Sequence, residues 1–347
     1  MNCCSLAWLL CAAATPVFSQ PARSTPQQFV YFVNDRERIA EPAFLANTAI
    51  AGAQLRYLWR ELEPARDQYD FHSILGDIAT LAAHGKRLFI QIQDVTFTAR
   101  LPVPDYLLNE PEFNGGAARK WEVRDTSRAR FDGWVARRWD PAVNERFARL
   151  LDTLARAVDG SIAGINFDET AVGFDGTEPR PSGFSNESYV AGIKAMMSAA
   201  RRAFPRTVVI QYVNFMPGDS PPSTPYLHDV YAHAAAIGVG VGGPDILPFR
   251  RYQRASSLPL IAARPRHVPG GMAVQDGNLS EVDPATQKRV TVEELYRYAV
   301  EDLHLDFIFW GTEEPYYSAD VLPFLTRNAT SSQQTRLPKR RSSLPFR

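Results

Sequence analysis

The chain alternates between short, almost continuously apolar runs and longer segments in which apolar residues recur at helical spacing. Most of the short runs are followed by a helical segment, and we interpret the runs as strands. They occupy residues 29–33, 55–59, 87–92, 162–167, 208–214, 239–245, 271–276 and 306–310. Strands that alternate with helices and run in one direction predict a single-domain α/β protein, a (β/α)8 TIM barrel.

Local signals at the ends of the helical segments agree with this alternation. Asp140 precedes Pro141 as an N-cap, Ser185 begins another helix, and residues 291–294 form a capping box. A doubly wound open sheet is the alternative, but no Gly-x-Gly-x-x-Gly turn follows the first strand. The run 239–245 (VGVGGPD) superficially resembles a nucleotide-binding loop, and we interpret its glycines as close packing within a barrel.

The two ends of the chain differ from its centre. Residues 1–19 predict a signal peptide, because the apolar run 6–14 is too short to span a bilayer and permitted residues precede the expected cleavage point. Residues 20–28 are a polar linker, residues 29–327 form the barrel, and residues 328–347 predict a disordered basic tail. We therefore expect a secreted or periplasmic protein with no membrane association after removal of the signal.

Charge and cysteine content exclude several classes of partner and chemistry. Lys plus Arg and Asp plus Glu both number 38, so no net field favours nucleic acid or an anionic membrane. All the cysteines (Cys3, Cys4 and Cys11) lie in the predicted signal, which removes cysteine nucleophiles and thiolate ligands from the mature chain. The histidines show no zinc-binding spacing, and there is no Gly-x-Ser-x-Gly elbow. We expect no metal and no cofactor.

Acids, amides and aromatic rings gather at the ends of the predicted strands, whereas cationic residues are scarce there. Such a lining suits a neutral, polyhydroxylated substrate, because amides and carboxylates bind hydroxyls and rings stack on sugars. The candidate residues are Trp59, Asp94, Asp168, Glu169, Tyr212, Asn214, Asp245, Gln275, Asp276, Trp310 and Glu313. A carbohydrate is therefore the expected partner; oligomeric state is not readable from the sequence.

The segment 162–170 (IAGINFDET) is central to this interpretation. An apolar strand that ends in two adjacent carboxylates, Asp168 and Glu169, is typical of the carboxyl end of a barrel strand, where such folds hold their chemistry. Adjacent strand residues face opposite sides, so Asp168 either lines the mouth of the barrel or caps the following loop.

Residues 56–64 (RYLWRELEP), 69–71 (YDF) and 85–88 (GKRL) resemble the retaining glycoside hydrolases of the (β/α)8-barrel clan, which includes β-galactosidases, cellulases and xylanases. The resemblance implies a glycosidase in which Glu169 is the acid/base and Trp310 is a platform for stacking a sugar. Asp168 stands where the clan has Asn. The clan's nucleophile is a Glu at the end of the seventh strand, where this chain has Gln275 and Asp276.

The nucleophile therefore stays open between Asp276, Glu281 and Glu313, or is absent. In the two-carboxylate mechanism, Glu169 is protonated, with its pKa raised by burial and by Asp168, and donates to the leaving oxygen. Asp276 then attacks the anomeric carbon if the carboxyls lie ~5–5.5 Å apart, or activates a water at ~6.5–9.5 Å.

The expected function is that of a secreted glycoside hydrolase cleaving O-glycosidic bonds of a poly- or oligosaccharide. The alternative is a catalytically inactive carbohydrate-binding barrel that lacks the nucleophile of the seventh strand. A chitinase-like mechanism ranks below both, since residues 166–169 (NFDE) do not have the spacing Asp-x-Asp-x-Glu. Sugar, linkage, exo or endo action, and retention or inversion depend on loop shapes that one sequence does not give.

Overall fold

The computed structural model describes residues 25–33, 35–122, 130–174 and 179–328. Eight parallel strands close into a barrel in chain order, and the last pairs with the first. They are β1 Gln27–Tyr31, β2 Ile50–Leu58, β3 Arg87–Gln93, β4 Gly164–Phe167, β5 Val208–Tyr212, β6 Gly240–Gly243, β7 Gly270–Val274 and β8 Phe307–Gly311. The predicted (β/α)8 barrel is confirmed.

Helices surround the barrel on its outer side. The longer ones are His72–Ala82, Pro141–Val158, Asn186–Ala203, Pro225–Ile237, Ser257–Ala263 and Val292–Arg297, and short ones are Pro42–Leu45, Trp59–Leu62, Asp105–Asn109 and Arg251–Arg254. Short 3-10 helices occupy Arg36–Ala40, Pro111–Phe113 and Asn278–Ser280, and π turns occupy Tyr298–Asp302 and Tyr317–Val321. The Asp140 carboxylate accepts a hydrogen bond from the Ala142 amide (2.9 Å), which confirms the predicted N-cap.

Side chains of the strands alternate between two cores. The interior of the barrel is filled largely by aromatic rings, among them Phe29, Phe89 and Phe309, with centroids 4.8–5.8 Å apart. The outer core lies between the strands and the helices. Because Phe309 points inward, its neighbour Trp310 points outward into the helical layer.

The glycines of β6 bring two strands into close contact. A Cβ on Gly242 would lie 1.7 Å from the carbonyl oxygen of Gly271 on β7, so β6 has no room for a side chain at this position. This contact supports the close-packing interpretation of residues 239–245.

The segment 95–139, which is rich in Pro, Gly, Arg and Trp, contains a small antiparallel sheet. Its strands are Val95–Thr96, Ala117–Glu122 and Arg130–Ala136. The Ala136 amide donates to the Asp94 carbonyl (2.8 Å), and the Trp121 amide donates to the Gly173 carbonyl (2.9 Å). These bonds fix the small sheet over the carboxyl ends of β3 and β4.

The outer parts of the chain are described only in part. The predicted signal peptide lies outside the described residues, as do residues 329–347 of the predicted tail. Strand β1 begins at Gln27, inside the segment predicted to be a linker, and a helix continues through residue 328. Among the described residues, no helix has the length and apolarity needed to cross a membrane.

Candidate active site

Five consecutive strands, β4 to β8, each place a polar residue at the same position beyond the strand end. The second residue after each strand is, in order, Glu169, Asn214, Asp245, Asp276 and Glu313. The strands are parallel and share one carboxyl edge, so these residues form an arc on one rim of the barrel. This is the rim that carries the active sites of (β/α)8 enzymes.

A cavity of about 290 Å³ opens at this rim. Its polar lining consists of Tyr31, Arg56, Gln91, Asp168, Glu169, Tyr212, Gln275 and Asp276, and its apolar lining of Val33, Phe97, Pro244 and Ala273. Glu169 follows β4 and Asp276 follows β7, three strands further around a ring of eight. The two carboxylates therefore face one cavity from different sides of the barrel.

Glu169 is partly buried, and the side-chain amide of Asn214 donates a hydrogen bond to its carboxylate. Burial is the main cause that raises the pKa of Glu169 to about 7. The Asn214 hydrogen bond and the Lys120 cation act against it, while the negative charges of Asp245 and Asp132 add to it. The sequence predicted a raised pKa with burial as a cause, and the acids with the largest effect on it are Asp245 and Asp132.

Asp168 is only 3% exposed and lines the cavity, so it belongs to the mouth of the barrel rather than capping the next loop. Burial, followed by the neighbouring Asp94 carboxylate, raises its pKa to about 7. Its carboxylate accepts a long hydrogen bond from the Val95 amide (3.4 Å). Near neutral pH, Asp168 and Glu169 are thus both poised between the neutral and the charged form.

Of the three candidates for the second carboxylate, Asp276 is the one that lines the cavity. Burial and then the charges of Glu313 and Asp35 raise its pKa, and the Arg56 cation opposes them. Glu313 accepts a hydrogen bond from the Gly277 amide (2.7 Å) at the edge of the site. Glu281 forms an ion pair with Arg250 (2.8 Å) and does not line the cavity.

The sequence analysis missed the cationic wall of the cavity. Arg56 on β2 donates to the Gln91 side-chain oxygen (3.2 Å), which also accepts from the Tyr31 hydroxyl (2.9 Å). The Arg56 guanidinium lies 4.9 Å from the centroid of the Tyr31 ring. The available signal was that Arg56 is the one charged residue in the strand Ile50–Leu58.

The prediction that Trp59 and Trp310 contact the substrate is wrong, because neither ring is exposed. The Trp59 indole donates to Glu63 (2.9 Å), and that of Trp310 donates to Gln28 (2.7 Å). Both rings belong to the outer core. Strand alternation turns Trp310 away from the barrel axis, and Trp59 is the first residue of the short helix Trp59–Leu62.

Asp94 and Asp245 support the site instead of lining it, which corrects their predicted role as substrate ligands. Both oxygens of Asp94 accept from Arg138 (2.6 Å each), and Arg138 also donates to the Glu169 carbonyl (2.8 Å). One oxygen of Asp245 accepts from Gln275 (3.1 Å) and from the Asn278 amide group (2.8 Å). Tyr212 and Gln275 line the cavity, and their role as substrate ligands stays a prediction, whereas Asn214 contacts Glu169.

Within the described ranges, no group of three or more His, Cys, Asp or Glu side chains is arranged to hold a metal ion.

Solved structures with this fold include several glycoside hydrolases. The catalytic domain of β-amylase from Paenibacillus polymyxa aligns over 84% of this chain and 93% of its own, with a TM-score of 0.60 and 10% identity. GH5_18 from Streptomyces cattleya aligns over 91% of this chain and 82% of its own (TM-score 0.53, 16% identity). Endo-glycoceramidase II from Rhodococcus sp., solved as a lactosyl-enzyme intermediate, aligns over 84% and 74% (TM-score 0.51, 13% identity).

No protein-family model matches the chain, and no curated protein matches it. At these identities the structural alignments establish the fold and not the chemistry. The chain therefore has the (β/α)8-barrel fold that these solved glycoside hydrolases share.

Proposed function

We propose that the protein is a secreted glycoside hydrolase that cleaves O-glycosidic bonds of a poly- or oligosaccharide with two carboxylates. One observation carries the proposal: Glu169 and Asp276, from β4 and β7, line one cavity, and the environment of Glu169 raises its pKa to about 7. A carboxyl group with that pKa is available as a general acid near neutral pH.

In the proposed reaction, neutral Glu169 donates its proton to the glycosidic oxygen as the bond from that oxygen to the anomeric carbon breaks. Asn214 holds the carboxyl group through its amide, and Arg56 favours the ionised form of Asp276. The leaving group departs as an alcohol, and ionised Glu169 remains.

Asp276 supplies the second carboxylate. It either attacks the anomeric carbon to give an ester, which water hydrolyses with Glu169 as base, or removes a proton from a water that attacks directly. The first course retains the anomeric configuration and the second inverts it, so proton NMR of the first-formed sugar distinguishes them.

The alternative function is that of a non-catalytic carbohydrate-binding barrel. It is favoured by the absence of a Glu directly at the end of β7 and by the position of Asp276 on the rim, where its side chain is more exposed than that of Glu169. Such a protein would keep the cavity and bind sugars without turnover.

The test is hydrolysis of a panel of oligosaccharides, whose leaving sugars need protonation, by the parent protein and by Glu169→Gln and Asp276→Asn. We expect each variant to lose at least about a hundredfold in rate, because each removes a group required in the transition state. The matched controls are Glu293→Gln and Asp229→Asn, which change exposed carboxylates outside the cavity. If both site variants keep the parent rate, the two-carboxylate assignment is wrong.

Secretion is a separate part of the proposal and is supported by the apolar run 6–14. Expression of the full chain in a bacterium, followed by N-terminal sequencing of the exported protein, tests it. Cleavage after residue 19 is the expected result. Retention of an uncleaved chain in the cytoplasm would contradict it.

A further inference from the structure

A second concavity adjoins the cavity on the side of β1 to β3. It is a groove of about 730 Å³ whose lining includes Tyr57, Leu58, Ser73, Gln93, Thr96 and Thr98. Val33, Arg56 and Phe97 line both the cavity and the groove, so the two spaces adjoin each other. The cavity lies near the lower end of the roughly 300–1,000 Å³ range of ligand sites, and the groove extends well into it.

Phe97 stands where the two spaces meet. Its ring is 44% exposed, one of few large apolar side chains with that exposure among the described residues. The Lys120 ammonium lies 3.8 Å from the ring centroid, and Lys120 is itself buried and paired with Asp132. The turn that carries Phe97 is closed by a hydrogen bond from the Thr96 hydroxyl to the Arg100 carbonyl (2.7 Å). The ring is therefore held in place before any ligand binds.

The charges along the groove are largely paired with each other. Arg100 pairs with Glu61 (2.6 Å), and Arg36 pairs with Asp77 at its edge. The adjoining cavity contains three carboxyl groups and one Arg. In the cavity a strongly anionic ligand would meet three carboxyl groups for the single Arg56 cation, whereas a neutral, hydroxyl-rich one would meet donors, acceptors and an aromatic face.

We propose that the groove binds further rings of a neutral oligosaccharide whose reacting ring occupies the cavity, and that Phe97 stacks against the sugar at the junction. This rests on the proposed function for the identity of the reacting ring. It makes the protein an enzyme for oligosaccharide chains and not for simple monosaccharide glycosides.

Binding to the Glu169→Gln variant tests the groove separately from catalysis. The probes are neutral gluco-, manno- and xylo-oligosaccharides from mono- to tetrasaccharide, measured by calorimetry. We expect affinity for at least one series to rise steeply with length, and Phe97→Ala to reduce tetrasaccharide affinity about tenfold, the upper range of an aromatic contact. The matched control is Tyr252→Ala, which removes a ring that is 68% exposed and outside the groove.

Equal affinity for mono- and tetrasaccharides would overturn the groove proposal. So would an equal loss of tetrasaccharide affinity in the Phe97→Ala and Tyr252→Ala variants, or the failure of every probe to bind. Tighter binding of uronic-acid oligosaccharides than of neutral ones would overturn the neutral assignment. Length-dependent binding that Phe97→Ala weakens, without hydrolysis by the parent protein, would support the groove and contradict the proposed hydrolase function.

Discussion

At the scale of single residues, the state of Glu169 is set by opposing effects. Burial favours its neutral form, whereas the Asn214 amide and the Lys120 ammonium favour the ionised form. The balance leaves the pKa at about 7, where a small change in the surroundings changes the fraction of active protein. The pH profile is therefore the most sensitive report on this residue.

We expect kcat/KM to fall as pH rises through about 7, because the general acid must be protonated in the free enzyme. In Asn214→Ala the ionised form loses its hydrogen-bond donor, so the pKa of Glu169 rises and the alkaline limb moves up by about one pH unit. The pH dependence of kcat/KM for both proteins checks this. An alkaline limb in the same place in both would show that another group controls it.

The buried carboxyl group of Asp168 leads us to predict a pH-dependent effect on the free energy of unfolding. Its folded-state pKa of about 7 lies above the unfolded value, so its burial is tolerated below about pH 4 and becomes destabilising as pH rises through 7. Asp168→Asn, which cannot ionise, should be more stable than the parent at pH 8 by roughly 2–4 kcal/mol. The difference should vanish near pH 4.

Urea unfolding at both pH values measures this difference, with Asp229→Asn as an exposed control. A variant that is less stable than the parent at pH 8 would mean that Asp168 is ionised and favourably paired in the folded protein.

Single residues also show what the sequence reveals and what it hides. Glu169 and Asp276 were identifiable because an apolar run ends just before each. Trp59 and Trp310 were misassigned, since a ring at a strand end is equally compatible with either side of the barrel wall. Phe97 and Lys120 reach the mouth from the small antiparallel sheet, whose placement depends on tertiary hydrogen bonds.

At the scale of elements, the buried pair of Arg138 and Asp94 connects the small sheet to the strand ends. Arg138 donates to the backbone carbonyl of Glu169 and to the Tyr189 hydroxyl (3.2 Å), so it fixes the loop that carries the general acid. Both members of the pair are nearly inaccessible. Loss of one leaves a buried charge without its partner.

Arg138→Met should therefore destabilise the protein by about 3–5 kcal/mol and lower activity by displacing Glu169. The double variant Asp94→Asn, Arg138→Met should cost less than the sum of the single variants, because it leaves no unpaired charge. The unfolding free energies of the parent, the two single variants and the double variant together form a double-mutant cycle that measures this difference. Additive costs would mean that the two groups do not depend on each other.

The position of Trp310 in the outer core leads us to predict that its substitution affects stability and not catalysis. Trp310→Phe removes the hydrogen bond to Gln28 and part of a packed ring, and should reduce stability by about 1–3 kcal/mol. The kcat/KM of the folded variant should stay within about twofold of the parent, because the ring does not line the cavity. Thermal unfolding measures the predicted loss of stability, and initial rates measure kcat/KM. A large loss of kcat/KM with normal stability would restore Trp310 as a sugar platform.

The elements were predictable to different degrees. Barrel strands were found because both of their faces are buried and they appear as continuous apolar runs. The small sheet was missed because its strands lie in a segment rich in Pro, Gly and Arg with short apolar stretches. The helix that follows the capping box at residues 291–294 changes to a π turn at Tyr298–Asp302, a local change of winding that apolar spacing does not reveal.

At the scale of the whole molecule, the formal net charge of the chain is zero, but acidic side chains are concentrated at one rim of the barrel. The fold is shared with solved glycoside hydrolases at identities of 10–16%, so very different sequences form the same barrel. A barrel can host many chemistries, and the functional assignment therefore depends on the two carboxylates and not on the fold.

The central claim is that Glu169 protonates the leaving group, and kcat/KM for two glycosides that differ only in leaving group tests it most directly. A dinitrophenyl group leaves without protonation, whereas a sugar does not. The account predicts that Glu169→Gln loses at least about a hundredfold more kcat/KM on the sugar leaving group than on the dinitrophenyl one. Equal losses on both substrates, or no loss on either, would contradict it.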